Sequence, residues 1–232
     1  MQAVVLAGGL GTRLWPLTET LPKPMVPVAG APYLEHQLRL LARQSVSDIV
    51  LLTGHLGEQI EEHFGDGERL GIRIRYSREL TPIGTGGALR EARNLLADAF
   101  LVIYGDSYLP IEYGLPLELL KQSDATGVLV LYRDPSGETM VNPNVAMTEN
   151  GVVTRYDKDS PGDPELRYVE AGVLALRREV LDDIAPAGMA SLEKEAFPKL
   201  IARRKLLGWP TAQRFYDIGT PDRLRVIEGL LA

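Results

Sequence analysis

The chain has 232 residues, with 25 Lys plus Arg, 31 Asp plus Glu and no cysteine. Its net charge of −6 argues against a general nucleic-acid binder, which needs a basic face; the missing thiols exclude disulfides, zinc–thiolate and iron–sulfur sites and a cysteine nucleophile. With no basic leader and no apolar run near ~18 residues, a cytoplasmic protein without a membrane partner is expected, and its three histidines lack the spacing of a His-based metal centre.

Apolar runs of strand length alternate with helical patterns through the first half. Ala3–Ala7 is a short buried strand. Tyr33–Arg43 carries Leu34, Leu38 and Leu41 on one helical face. Asp48–Thr53 reads as a strand, Leu56–Phe64 as a helix ended by Gly65-Asp66-Gly67, and Ile72–Tyr76 as an alternating, half-buried strand. A helix over Thr85–Leu96, a buried strand over Phe100–Tyr104, a helix over Leu115–Gln122 and a strand over Gly127–Tyr132 follow. The second half changes character. Asn150-Gly151 predicts a hairpin joining Val145–Met147 to Val152–Thr154. Tyr168–Leu176 reads as a strand. Ser191 caps a helix running to about Arg203, with Pro198 a potential break, and Thr220-Pro221 opens the last helix.

This rhythm predicts an α/β fold: a Rossmann-like, mainly parallel sheet flanked by helices. Ligands are expected outside the carboxyl ends of its strands. No Gly/Ser linker divides residues 1–232, so one domain is expected, its second half a small β-rich subregion packed over the sheet's ligand edge.

The first strand runs into Gly8-Gly9-Leu10-Gly11-Thr12-Arg13. Glycines there let the backbone approach a ligand, and successive N–H groups can cradle phosphate. The run lacks the third glycine of a dinucleotide fingerprint and the Gly-Lys-Ser/Thr of a P-loop. Instead Arg13 stands at its tip, and Lys23 follows between two stiffening prolines. An oxidoreductase reading therefore fails. Trp15 is expected to pack in the core or a loop, and His55 to be a structural loop residue.

The stretch GGLGTRLWPLTETLPKPMVPVAGAPYLEHQL closely resembles the signature of the sugar-1-phosphate nucleotidyltransferases. Further ordered segments are similar to that family: Glu79–Ala88, Tyr104–Ser107, Tyr156–Lys158 with Glu170–Gly172, and Phe215–Pro221. The resemblance implies a core like that of GT-A enzymes, with residues 1–135 binding nucleotide and 136–232 binding sugar phosphate. It implies catalytic roles for Arg13 and Lys23. It places Leu6, Ala7, Gly8, Gly9, Gly11 and Thr12, with Glu79, Pro82, Gly84 and Thr85, on the nucleotide. It places Asn144, Lys158, Glu170 and Gly172 on the sugar phosphate, although Asn144 also fits a plain turn beside Pro143. Asp106 and Asp217 would meet and hold Mg²⁺, which suits one or two carboxylates plus substrate phosphates.

The implied reaction is attack by a sugar-1-phosphate oxygen on the α-phosphorus of a nucleoside triphosphate, releasing pyrophosphate. A carboxylate at Glu79 accepts hydrogen bonds only, which matches the paired N1–H and N2 donors of guanine. The wording of GTGGALREA and SLEKEAFPKL is similar to the heptose-1-phosphate guanylyltransferase branch, whose sugar is D-glycero-α-D-manno-heptose 1-phosphate. Mannose-1-phosphate guanylyltransferases, uridylyl- or thymidylyltransferases for another sugar, and a non-catalytic nucleotide-sugar-binding relative stay open. The expected partners are GTP and a sugar 1-phosphate, with a monomeric or homodimeric chain. With a site expected to draw on Gly8 through Asp217, no added acyltransferase or β-helix domain of the kind longer family members carry is expected within these residues.

Overall fold

In a computed structural model describing Met1–Ala232, the first apolar run forms β1 (Gln2–Leu6), buried on both faces as an interior strand of a mainly parallel sheet must be. The short β2 (Pro27–Val28) and β3 (Ala31–Pro32) lead into α1 (Tyr33–Arg43). Then come β4 (Asp48–Thr53), α2 (Gly57–Phe64), β5 (Arg73–Arg78), α3 (Gly84–Glu91), β6 (Ala99–Tyr104), β7 (Ser107–Tyr108), α4 (Gly114–Gln122) and β8 (Gly127–Tyr132). The remainder is β9 (Val145–Met147), β10 (Val153–Tyr156), β11 (Val169–Arg177), α5 (Phe197–Ala202), β12 (Leu206–Thr211), β13 (Tyr216–Asp217) and α6 (Pro221–Leu231).

The main sheet has seven strands in the order β12-β8-β11-β6-β1-β4-β5. Only β11 opposes its neighbours; the other ladders are parallel. The sheet is therefore mixed but mainly parallel, with helices on both faces. Alternation along β1 shows the layering: Ala3 and Val5 pack with Leu34, Leu38 and Leu41 of α1, while Val4 packs with Leu89, Phe197 and Leu200 on the opposite face. The carboxyl ends of β1, β4 and β6 finish side by side, leaving a shared edge for a ligand.

Several sequence expectations change. β12, for which no strand was expected, contains Gly208 and Pro210, residues that weaken a strand pattern. It is an edge strand, where a proline without N–H is tolerated. β11 is inserted between β6 and β8, so the second half contributes to the main sheet as well as forming the β9–β10 hairpin outside it. The helix starting at Gly84 stops at Glu91 and continues as a 3₁₀ turn over Ala92–Leu95. Ser191 does cap its helix by accepting from Lys194 N, but the first turn, Leu192–Ala196, is a π-turn; Pro198 sits in the first turn of α5 and breaks nothing. No helix is long and apolar enough to cross a membrane.

Candidate active site

At the end of β1, Ala7 N donates to Leu52 O of β4 (2.8 Å), and the chain then leaves the sheet through its glycines. Gly11 has a left-handed φ of 66°, and a Cβ there would stand 2.9 Å from Lys23 Cβ. The glycine loop is thus folded directly onto the Lys23 segment, and Thr18 Oγ secures it by donating to Gly11 O (2.8 Å).

The loop borders a cavity of about 490 Å³ at the carboxyl ends of β1, β4 and β6. Leu6, Ala7, Gly8, Gly9, Gly11 and Thr12 form one wall, with Arg13 and Lys23 at its end. Glu79, Pro82, Gly84 and Thr85 also line it, as does Asp106 beside Gly105. Asn144, Lys158, Glu170, Gly172 and Asp217 do not line this cavity.

Lys23 Nζ meets Asp106 Oδ2 at 2.5 Å. Asp217 is carried by β13, which pairs with β7 so that Asp217 lies opposite Ser107, the residue after Asp106. Its Oδ1 accepts from Gly219 N (2.6 Å), and Arg223 Nη1 reaches both its oxygens at 3.2 Å. A Cβ on Gly219 would lie 2.6 Å from Asp217 Oδ1 and 3.5 Å from Arg13 Nη2, so that glycine is where Asp217 and Arg13 approach. Burial raises the Tyr33 hydroxyl, and the nearby charges of Asp106 and Asp217 add to it. Asp106 in the cavity lining is paired with Lys23, and Asp217 outside it with Arg223; carboxylates are the hard-oxygen donors that suit Mg²⁺ completed by substrate phosphates.

Glu79 is held against the glycine loop: a Cβ on Gly8 would be 3.0 Å from its Oε1, and its Oε2 accepts from Ile83 N at 3.3 Å. Burial raises its carboxyl above the ordinary value, against the Ile83 N–H, which lowers it.

Beyond Asp106 a second group of side chains gathers. Glu170 is carried on β11 where the ladder with β8 slips register, and Gly172 follows with a left-handed φ of 79°. Glu170 Oε1 accepts from Gly172 N (2.6 Å), and Glu170 N donates to Asn144 Oδ1 (2.9 Å), so Asn144 braces the bulge. Lys158 Nζ lies 4.0 Å from Glu170 Oε2 and stands over the Tyr104 and Tyr156 rings at 5.7 and 5.5 Å. Burial pushes Glu170 up to about 7, only partly offset by Lys158 and the Gly172 N–H.

Glu193 was missed as a site residue. It lines the cavity and accepts from Tyr104 OH (2.6 Å), Thr85 Oγ (2.7 Å) and Ser191 Oγ (2.7 Å). Burial raises its carboxyl, but these hydroxyls outweigh burial and leave it below the ordinary value. The sequence showed only an acid in a capped first turn; the Thr85 contact spans 108 positions. Of the two places expected for Trp15, core or loop, the structure shows the loop: it is 62% exposed and belongs to no core. His55 is exposed at the end of β4, on a loop.

Comparison with known proteins identifies the family. Residues 2–229 match the model of the nucleotidyl transferase family. The chain is 37% identical over 227 residues to mannose-1-phosphate guanylyltransferase of Mycobacterium tuberculosis, covering 96% of this chain and 62% of that protein's length. It is 32% identical over 225 residues to D-glycero-alpha-D-manno-heptose 1-phosphate guanylyltransferase of Campylobacter jejuni, covering 96% of both. Its fold matches the crystal structure of HddC from Yersinia pseudotuberculosis complexed with GMP-PN, with a TM-score of 0.83, 24% identity and coverage of 100% and 99%. The chain belongs to the nucleotidyl transferase family, in its sugar-1-phosphate nucleotidyltransferase group.

Proposed function

We propose that the protein is an enzyme joining GTP to D-glycero-α-D-manno-heptose 1-phosphate, giving the GDP-sugar and pyrophosphate. The observation that carries the reaction class is one cavity lined by Arg13 at the end of the glycine loop and by Lys23, which meets the carboxylate of Asp106. Two phosphate-bearing substrates repel, and transfer between them rests on positioning and charge stabilisation. A sugar-phosphate oxygen forms a bond to the α-phosphorus while the α–β bridging P–O bond breaks, and its electron pair leaves with pyrophosphate. In this reading the loop N–H groups hold the triphosphate, Arg13 offsets charge on the departing pyrophosphate, and Lys23 spans the α-phosphate and the incoming phosphate. Lys158 holds the sugar phosphate, with Glu170 and Asn144 beside the sugar. Asp106 and Asp217 would hold Mg²⁺, which when bound supplies charge neutralisation at the phosphates.

Guanine is supported by Glu79 in the cavity wall and by the guanylyltransferase relatives. Heptose is supported by the Campylobacter relative. The higher identity to the mycobacterial protein favours mannose 1-phosphate as the second reading. A competition with GTP and equal heptose and mannose 1-phosphates, read by product mass, separates them. GDP-heptose in excess is expected; GDP-mannose in excess overturns the sugar assignment and leaves the class intact.

A further inference from the structure

We infer that Gln37 and Tyr33 of α1 are positioning residues that set where Asp106 and Asp217 stand. This rests on the reading of those two carboxylates as the metal-holding pair.

The loop from Tyr104 to Ser107 carries Asp106 out of β6, and its carbonyls point toward α1. Gln37 Nε2 donates to Tyr104 O at 3.0 Å and to Ser107 O at 2.6 Å, one carbonyl on each side of Asp106. Tyr33 OH, one helical turn earlier, donates to Asp106 O at 3.0 Å. That same oxygen accepts from Ile218 N at 3.1 Å, and Ile218 follows Asp217. One carbonyl therefore ties the Asp106 loop to the segment carrying Asp217, and α1 clamps both. On the opposite side Gly105 N donates to Leu6 O at 3.0 Å. A Cβ on Gly105 would lie 2.5 Å from that oxygen, so only glycine lets the loop pack this closely on β1.

Gln37 and Tyr33 are 1% and 0% exposed. Both partners of Gln37 are acceptors, so only its NH₂ can face them. Its Oε1 is left buried without a partner. An unpaired buried carbonyl is destabilising. Packing alone would favour an apolar residue here, so the amide is explained by the loop it holds. Residues behind metal ligands orient them in this way.

The test uses the full chain as Gln37→Met, Tyr33→Phe and Asp106→Asn, with a non-hydrolysable GTP analogue and Mn²⁺ as a paramagnetic probe. Three quantities are read: analogue affinity in chelator, Mn²⁺ affinity in the analogue complex, and kcat. Gln37→Met is expected to weaken Mn²⁺ binding about 10-fold and to lower kcat by a similar factor, with analogue affinity in chelator unchanged. A folded Gln37→Met protein that melts earlier yet keeps wild-type Mn²⁺ affinity and kcat overturns the inference and leaves Gln37 a structural tether. If Gln37→Met does not fold, Tyr33→Phe, which keeps the ring, is judged by the same readouts. Unchanged Mn²⁺ affinity in Asp106→Asn removes the metal reading by itself. A kcat loss in Gln37→Met at unchanged analogue affinity then still supports positioning of the Lys23–Asp106 pair, and an unchanged kcat overturns it.

Discussion

Lys23 Nζ and Asp106 Oδ2 are in contact at 2.5 Å although 83 positions separate them in the chain. The cation expected on the phosphates and the carboxylate expected on the metal therefore share one contact in the cavity lining. Removing either charge leaves the other uncompensated where phosphate must bind. Asp106→Asn and Lys23→Ala are each expected to lower turnover by about 100-fold or more, with far-UV circular dichroism unchanged. Steady-state kinetics check this. Turnover within about threefold of wild type for both variants, a difference of well under 1 kcal/mol, contradicts the assigned roles.

Glu79 offers carboxylate oxygens from the wall beside Gly8. Glu79→Gln exchanges one acceptor for a donor, which meets guanine's paired donors badly and the alternating edge of uracil better. The preference for GTP over UTP, taken as a ratio of kcat/KM, is expected to fall by about 10-fold. An unchanged ratio removes the carboxylate from base selection.

Glu170 gives a pH dependence with a definite sign. Burial raises its carboxyl from 4.5 to about 7 in the folded protein. The folded chain then binds the proton more tightly than the unfolded chain. Its contribution to stability is greatest below 4.5 and is lost as pH rises through about 7. Glu170→Gln removes that loss, so the variant should gain in melting temperature relative to wild type between about pH 5 and about pH 8. Parallel melting curves across that range contradict the assignment.

Glu193 joins Thr85 in the cavity lining to Tyr104 at the end of β6. Glu193→Ala strands these hydroxyls, each costing about 1–3 kcal/mol where water cannot replace the partner. Chemical denaturation should show a loss of about 3 kcal/mol, together with a raised KM for the nucleotide. A loss of stability without any change in KM would make Glu193 a scaffold residue only.

The fold was legible in the sequence where apolar runs are continuous. The buried strands around β1 leave no other reading, and Thr220-Pro221 marks the start of α6 by its cap chemistry. β12 was hidden because edge strands tolerate the Gly208 and Pro210 that interior strands do not. The glycine loop with Arg13 and Lys23 was legible because it is contiguous. The Lys23–Asp106 contact, the Asn144 brace on Glu170 and the Glu193 hub were not, since each is made by chain crossings that no local pattern records. Trp15 was expected in the core or a loop, and only the loop holds: its ring stands in solvent, because the sequence alone does not separate the two.

The most direct measurement is pyrophosphate release, with the four nucleoside triphosphates each crossed with heptose, mannose, glucose and N-acetylhexosamine 1-phosphates. Release that requires a sugar 1-phosphate, is highest with GTP and heptose 1-phosphate, and is abolished in Lys23→Ala is the expected result. No sugar-dependent release in any combination, from protein shown to bind nucleotide, would contradict nucleotidyl transfer and point to a binding protein on the same fold.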